Sequence, residues 1–541
     1  MYLRLLFLSF FNLVLIVSGA SNTFYIDPIH GDNNADGTRE DPWKTLEYII
    51  SHPYIQSYSY VLPYNPKHPQ LQVKNSGAPI QAGDTIILRS GLHGSLFLRG
   101  YVNTSNITIM AEEGQTPILK EVHLIGCKNW VLDGLTVSGE PYREKVENLV
   151  FFESHNWHGP VSNLVFKNGT VFSAEKPWTR AEDWLKYMGN GIRVRGDSIL
   201  IENNQVKNIN FGITATGYYI RAINNTITNF AGDGIRVLTT RGEFRHNFIR
   251  NCYKVNDNHD DGIQSYTTGG LKVDSNIISG NTILNYSDPN QPLLGPLQGI
   301  GCFDGPYNDW VIENNVVIVD HWHGISLYGA RRCTIINNTV LDPTPLVKPG
   351  PCWIKIESHK NGRPSTDCIV KNNISNTLAL NANNTRSGNN QLFKTREQYH
   401  RNFKDVSTFD VHLLKNSICI DQADDVFAPK YDLDNTPRPQ GQHADIGAYE
   451  YSLSTSAFSS TLNRDFSVFP NPSSSYLMIE GPTGEEVHLY IWDLYGHLLQ
   501  SHKASTLPSK IRINKLERGT YILLIDKLTN SDSKYFFFQK E

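Results

Sequence analysis

Two adjacent carboxylates, Asp260 and Asp261, lead into the step Gly262-Ile263, and a third, Asp233, precedes the equivalent step Gly234-Ile235. Like charges held together raise one another's affinity for protons. Such a set can keep one member protonated as an acid, or hold a cation such as Ca2+. His259 stands beside the pair, and His323 precedes a later step, Gly324-Ile325, in the run His321-Trp322-His323. Imidazole gives or takes a proton near neutral pH. Lys355 follows Trp353-Ile354, and with Arg193 and Arg236 it can bind a carboxylate or a sulfate. The plainer readings are that Asp before Gly caps turn amides and that outward arginines are simply solvated.

What places these groups in one another's reach is a repeat. Gly-Ile recurs at Gly191-Ile192, Gly212-Ile213, Gly234-Ile235, Gly262-Ile263, Gly299-Ile300 and Gly324-Ile325, with Trp353-Ile354 in the same role, at intervals of about 21 to 37 residues. Some 13 to 20 residues after each comes an asparagine: Asn204, Asn225, Asn247, Asn276, Asn315, Asn338 and Asn373. A short coil cannot bury its apolar face alone, so coils stack. Ile192, Val194, Ile213, Ile235, Val237, Ile263, Ile300, Ile325, Leu327, Ile354 and Ile356 are expected to stack inward. Asn suits a left-handed corner, and its amide can bond the next coil. The expected fold is all-β, a parallel β-helix. Leucine-rich and Trp-Asp repeat folds are excluded by their missing signatures.

Aligned on Gly-Ile, the residues two after the Gly face outward as Arg193, Thr214, Arg236, Gln264, Gly301, Ser326 and Lys355. Four after come Arg195, Thr216, Leu238, Tyr266, Phe303, Tyr328 and Glu357; just before come Asn190, Phe211, Asp233, Asp261, Gln298, His323 and Cys352. These columns form a groove floor. Asp233, His259, Asp260, Asp261, His323 and Lys355 are its candidate catalytic groups; Arg193, Arg236, Gln264, Tyr266, Tyr328 and Glu357 are candidates for substrate binding. Asp233, Asp260 and Asp261 are the candidate calcium ligands. Glu153 to His158 and Ser173 to Tyr187, with Trp178, Trp184 and Tyr187, break the repeat and are expected as loops that either stack sugars or cover the solenoid's side.

A net charge of -4 and a pI near 6.5 argue against nucleic acid as a partner. Arg4, the apolar run Leu5 to Val17 and Ser18-Gly19-Ala20 read as a signal peptide over residues 1–20. No membrane span is expected after its cleavage. Seven cysteines leave at least one unpaired; a Cys352–Cys368 disulfide is an open pairing, and cysteine catalysis is not expected.

The opening Phe24-Tyr25-Ile26-Asp27-Pro28, Gly31-Asp32-Asn33-Asn34-Ala35-Asp36-Gly37-Thr38 and Pro42-Trp43-Lys44-Thr45 resembles the entry of secreted pectate-lyase-like right-handed β-helix proteins, and Gly83-Asp84-Thr85-Ile86 their first core strand. Pro437-Arg438-Pro439-Gln440 and Asp445-Ile446-Gly447-Ala448-Tyr449-Glu450-Tyr451 resemble their ending, so residues 22–451 are expected to form one right-handed parallel β-helix domain. A Ser/Thr-rich linker, 452–464, follows. Residues 465–541, with Phe469-Pro470-Asn471-Pro472 and Leu516-Glu517-Arg518-Gly519-Thr520-Tyr521, resemble a type IX secretion sorting domain of Bacteroidetes, expected as a small β-sandwich-like unit. That resemblance implies the type IX machinery as a partner and a secreted or cell-surface location.

Within the repeat, Asp233-Gly234, Asp260-Asp261, His323-Gly324 and Trp353-Ile354-Lys355 resemble the motif order of polygalacturonase-type hydrolases, with Ala231-Gly232 and Trp353 as departures. The same aspartates resemble the ion site of calcium-dependent pectate lyases, but Gln264 and Ser326 stand where a further Asp and a Lys are expected. Elimination needs a neutralised carboxylate and a base; inverting hydrolysis needs an acid and a base with room for water. The supply of His, Tyr, Lys and Arg favours a carbon–oxygen lyase, or a dehydratase of chain ends, on a uronate-containing anionic polysaccharide or its oligosaccharides. An inverting hydrolase and a non-catalytic glycan-binding β-helix are the alternatives. A monomer is expected.

Overall fold

The computed structural model describes residues 21–288 and 290–452, and within 467–540 all but 470–474, 482–485, 493–497, 505–506, 508 and 528–532. The expected signal peptide, and the expected linker beyond Ser452, lie outside the described residues. Two compact units divide between Tyr451 and Ser452.

In the first unit each Gly-Ile step lies in or at the edge of a strand of one parallel face: Asn190–Glu202, Ile213–Ile223, Ile235–Thr240, Asp261–Tyr266, Gln298–Asp304, His323–Tyr328 and Trp353–Glu357. Ile192, Ile213, Ile235, Ile263, Ile300, Ile325 and Ile354 pair in register, coil upon coil. All of the aliphatic residues expected inside are at most 1% exposed. Strand alternation explains this: with Ile turned inward, the residue on either side must point out. A second face runs on from the first, through Ile199, Ile220, Phe244, Ile278, Ile312, Ile335 and Val370. A twelve-stranded third face, from Gly91–Leu92 to Gln391–Leu392, closes the coil.

Between the second and third faces, from the coil of Asn203 onward, the corner is always two residues long, and its two positions divide the work. The first takes a positive φ, at Asn203, Asn224, His246, Gly280, Asn314, Asn337, Asn372 and Asn389. The second forms an unbroken amide ladder. In it Asn204, Asn225, Asn247, Asn281, Asn315, Asn338 and Asn373 each donate through Nδ2 to the next Oδ1 at 2.9–3.0 Å, ending on Asn390. Each Oδ1 also accepts the preceding rung's backbone N–H. Asn276 does not belong to this ladder. It lies at another corner, accepting from the Gly242 N–H and donating to Thr239 and Val273 carbonyls. The extra residues 267–276 move the true rung five places on, to Asn281.

From the coil of Asn203 onward, longer segments enter the repeat only at the other two corners, on the flanks of the first face: 173–189, 253–260, 285–297 and 342–352 before its strands, 267–276 and 358–368 after them. Residues 393–451 pack onto the outside of the third face, where Tyr399, Phe403, Ile446 and Ala448 share a core with Leu284, Val316, Ile318, Leu341 and Ile374. An Arg438–Glu450 pair with fully buried side chains, at 2.9 Å, braces their last stretch.

All seven cysteines are buried and unpaired. The Cys352–Cys368 pairing does not form, because Cys352 turns inward to the Val319 carbonyl at 2.9 Å. In the second unit an antiparallel sheet of three strands and one of four share a core of Leu477, Ile479, Leu489, Ile491, Leu523 and Ile525. This is the expected β-sandwich-like arrangement.

Candidate active site

The column two after each Gly is continuous in register from Arg193 to Lys355, and it extends backwards through Phe151, His123 and Phe97. The other two columns depart from expectation late in the stack. A register shift sets Tyr266 against Asp304, so Phe303 leaves the column and packs edge-on to His323 (4.7 Å) and Tyr328 (5.4 Å). A second shift pairs His323 with Trp353, and Cys352 is buried instead of outward.

The three aspartates are sealed: Asp233 and Asp260 are 2% exposed and Asp261 0%. Asp233 accepts from Arg236 Nε at 2.5 Å with one oxygen and from the Asp261 backbone N–H at 3.1 Å with the other. Arg236 lies over the Phe211 ring, 3.4 Å from its centroid. Asp261 accepts from Gln264 Nε2 at 2.8 Å, while its Oδ1 has no partner. That oxygen occupies the space that a side chain at Gly301 would fill, 2.0 Å from an ideal Cβ there, with the Phe303 ring closing on the same space. Burial, then the charge of Asp233, pushes the Asp261 carboxyl well above the carboxylate range. Burial raises Asp233 too, but the Arg236 guanidinium opposes it, so the proton of the pair rests on Asp261. Asp260 turns towards Lys254 (3.3 Å), and burial pushes it up to about 7.

Histidines, by contrast, reach the floor. The His323 backbone N–H donates to His321 Nδ1 at 3.1 Å, and the two rings stack at 5.2 Å. His323 Nδ1 lies 2.9 Å from Ser326 Oγ and 3.2 Å from Trp353 Nε1, which itself lies 3.1 Å from Ser326 Oγ. Indole N–H only donates, so every donor finds an acceptor when both imidazoles accept at Nδ1 and carry their proton on Nε2. Burial is the main cause that holds His321 and His323 down to about 4, with His259 acting on both and Lys355 on His323. His259 itself is exposed at the rim.

Lys355 pairs with Glu357 at 3.4 Å and lies over the rings of Trp353 (5.0 Å) and Tyr328 (5.7 Å). The stack thus gathers Asp233, Arg236, Asp261 and Gln264 in one network, and His323, Lys355, Tyr328 and Glu357 in another about two coils on. Arg193 stands three coils before Gln264, about 14 Å along the floor. Sequence reasoning left out His321, Ser326, Trp353, Gly301 and Lys254. Gly301 carries a signal, being the one glycine in the outward column; Lys254 lies in an inserted segment with no column to flag it.

The calcium set does not fit. A guanidinium and a backbone N–H already occupy both oxygens of Asp233, and an amide donor faces Asp261. Among the described residues no group of three or more His, Cys, Asp or Glu is placed to hold a metal.

The loop expectations also divide. Glu153 ends a floor strand, Asn148–Glu153, and only the residues after it leave the sheet. Ala181–Tyr187 is a helix whose Trp184 is fully buried against Tyr253 and Val255, a covering role; Tyr187 remains exposed and stacked on Trp178.

Fold and groove together define a right-handed parallel β-helix protein carrying an export domain. Residues 190–392 match the family described as right handed beta helix region, and residues 467–539 match the secretion system C-terminal sorting domain. The sorting domain marks the chain for type IX export, to the cell surface or beyond. Among the described residues no helix is long and apolar enough to cross a membrane. The chain is similar to the structure of pectate lyase Pel9A, with 12% identity over 80% of this chain and 96% of that one, TM-score 0.39. It is similar to the A-module of the Azotobacter vinelandii mannuronan C-5 epimerase AlgE6, with 13% identity over 57% and 91%, TM-score 0.38. It is also similar to the PL6 family alginate lyase AlyGC, with 14% identity over 58% and 49%, TM-score 0.34. Likeness at this level concerns the fold alone. A search of curated proteins found no match.

Proposed function

We propose that the protein is a carbon–oxygen lyase acting on a uronate-containing anionic polysaccharide. The observation that carries this reading is the division of labour on the floor: the three aspartates are sealed, at 2% exposure or less, and Glu357 is held by Lys355, Asn381 Nδ2 and the Ser358 N–H, while imidazoles and an ammonium face the groove. An inverting hydrolase needs a carboxylate free to activate water, and both oxygens of Asp233 are engaged. Elimination needs donors aimed at a carboxylate that becomes an enolate, and a base for the proton beside it. The Nε2–H groups of His321, fixed by the His323 backbone N–H, and of His323, fixed by Ser326 and Trp353, are such donors. His259, exposed and near both rings, takes the α-proton. The electron pair forms the new double bond as the carbon–oxygen bond to the neighbouring sugar breaks, and Lys355 returns a proton to the leaving oxygen. Asp261 and Gln264 position the floor without touching the reacting atoms.

The test is ultraviolet absorbance of unsaturated uronate during incubation with alginate, polygalacturonate and chondroitin. A rise that EDTA leaves intact is the expected result. New reducing ends without unsaturation would overturn elimination in favour of hydrolysis. Neither signal, with binding retained, would leave a glycan-binding β-helix.

A further inference from the structure

The basic groups of the groove fall into two classes. Around the candidate active site they are already paired: Arg236 with Asp233 at 2.5 Å, Lys254 with Asp260 at 3.3 Å, Lys355 with Glu357 at 3.4 Å. Three coils earlier, Arg193 and Arg195 point outward from the same strand, and neither makes an ion pair or a side-chain hydrogen bond among the described residues. Glu153, which pairs in register with Arg195, is turned away to His123 Nε2 at 2.9 Å. Glu153, and after it Glu147, act on Arg193 only from a distance.

Two like charges on alternate residues of one strand repel, and burial adds to the cost at Arg193, which is half-buried with its guanidinium 5.0 Å over the Phe151 ring. Such an arrangement is balanced by an anion that approaches from the groove. The floor beneath is rigid: Phe151 stacks on His123 at 4.9 Å, and His123 meets Phe97 edge-on at 5.3 Å. Phe97 is 41% exposed, with Arg99 5.1 Å over its ring, and it opens into a cavity of about 350 Å3 lined also by Lys74, Tyr101 and Glu47. An exposed ring with one guanidinium beside it offers a sugar one apolar face and its charged substituents a bidentate partner.

We propose that Arg193 and Arg195, with Phe97 and Arg99, form a distal holding site for the anionic substituents of a glycan chain, whether carboxylate or sulfate. Arg193 lies five coils, about 24 Å, from Ser326 beside His323, and Phe97 lies three coils, about 14 Å, further out. This deepens the proposed function and rests on it for the identity of the polymer. The consequence is length selection: a polymer reaches both stations, and a trisaccharide occupies only one.

The test measures binding by the full chain in the inactivated His259→Ala background, so that no turnover is required. The probes are alginate (uronate without sulfate), carrageenan (sulfate without uronate), dextran as a neutral control, and a uronate trisaccharide. Arg193→Gln with Arg195→Gln is expected to weaken binding of an anionic polymer at least tenfold and to flatten its salt dependence, while trisaccharide binding stays within twofold. Arg193→Lys with Arg195→Lys, at an unchanged melting temperature, should restore most of the loss. Preference for alginate or for carrageenan assigns the anion. Unchanged polymer affinity, or equal losses for polymer and trisaccharide, overturns the holding site. Lyase activity of the parent chain carrying the same arginine substitutions, found alongside either of those results, would leave the proposed function standing, so the two readings fail separately.

Discussion

The asparagine corner and the groove floor are both columns of polar side chains, one per coil, set on parallel strands in register. At the corner every rung is identical and each amide finds the next, so the column closes on itself from Asn204 to Asn390. On the floor the rungs differ, and oxygens such as Asp260 Oδ1 and Asp261 Oδ1 are left without partners. The same stacking geometry therefore gives a spine when the residues repeat and a varied polar floor when they do not. Buried polar groups are normally satisfied, so each unpartnered oxygen is stability that the floor gives up and the spine keeps.

The sharpest way to break this contrast is to remove one rung from the spine. Asn281→Leu strips acceptors from Asn247 and a donor from Asn315, leaving several buried groups unpaired at about 1–3 kcal/mol each. We expect a loss of about 3–6 kcal/mol in thermal or denaturant unfolding, with collapse of soluble yield as the extreme. His323→Ala, on the floor, is expected to do the opposite. Elimination should fall about 100-fold or more while the melting temperature moves little, as read by paired kinetic and calorimetric runs. Equal damage to both readouts would erase the distinction between the columns.

Protons sharpen it further. His321 and His323 are held near 4, below the unfolded imidazole value. Their contribution to stability is present above that unfolded value and is lost as pH falls through about 4. Melting curves of His321→Gln with His323→Gln should show a shallower acid limb than the parent. Asp260 runs the other way: its folded value, raised to about 7, means stability is lost as pH rises from the unfolded carboxylate range through about 7. Asp260→Asn should therefore melt higher than the parent at pH above this range, by about 2 °C, and match it in acid. A higher melting temperature at every pH would place the cost in packing and not in charge.

Much of the stack was legible because its two periods, alternation within strands and recurrence between coils, are carried by residue type alone. Ile192 to Ile354 and the column from Arg193 to Lys355 followed directly. Asn276 misled because an inserted segment counts like any other in sequence, whereas the ladder counts only corners. Phe303 and Cys352 misled because a single shift of register reverses which side a residue faces. The pairing of Arg236 with Asp233, and the turning of Glu153 from Arg195 to His123, depend on side-chain direction, which spacing does not encode.

The constant two-residue corner has a consequence beyond stability. Because extra residues are admitted only on the flanks of the first face from the coil of Asn203 onward, lineages of such a chain can lengthen, shorten or exchange the walls of the groove there while the opposite spine passes on unaltered. Selection on what the groove accepts and selection on whether the chain folds thus act on separate stretches of the same coil, and either can drift without dragging the other along.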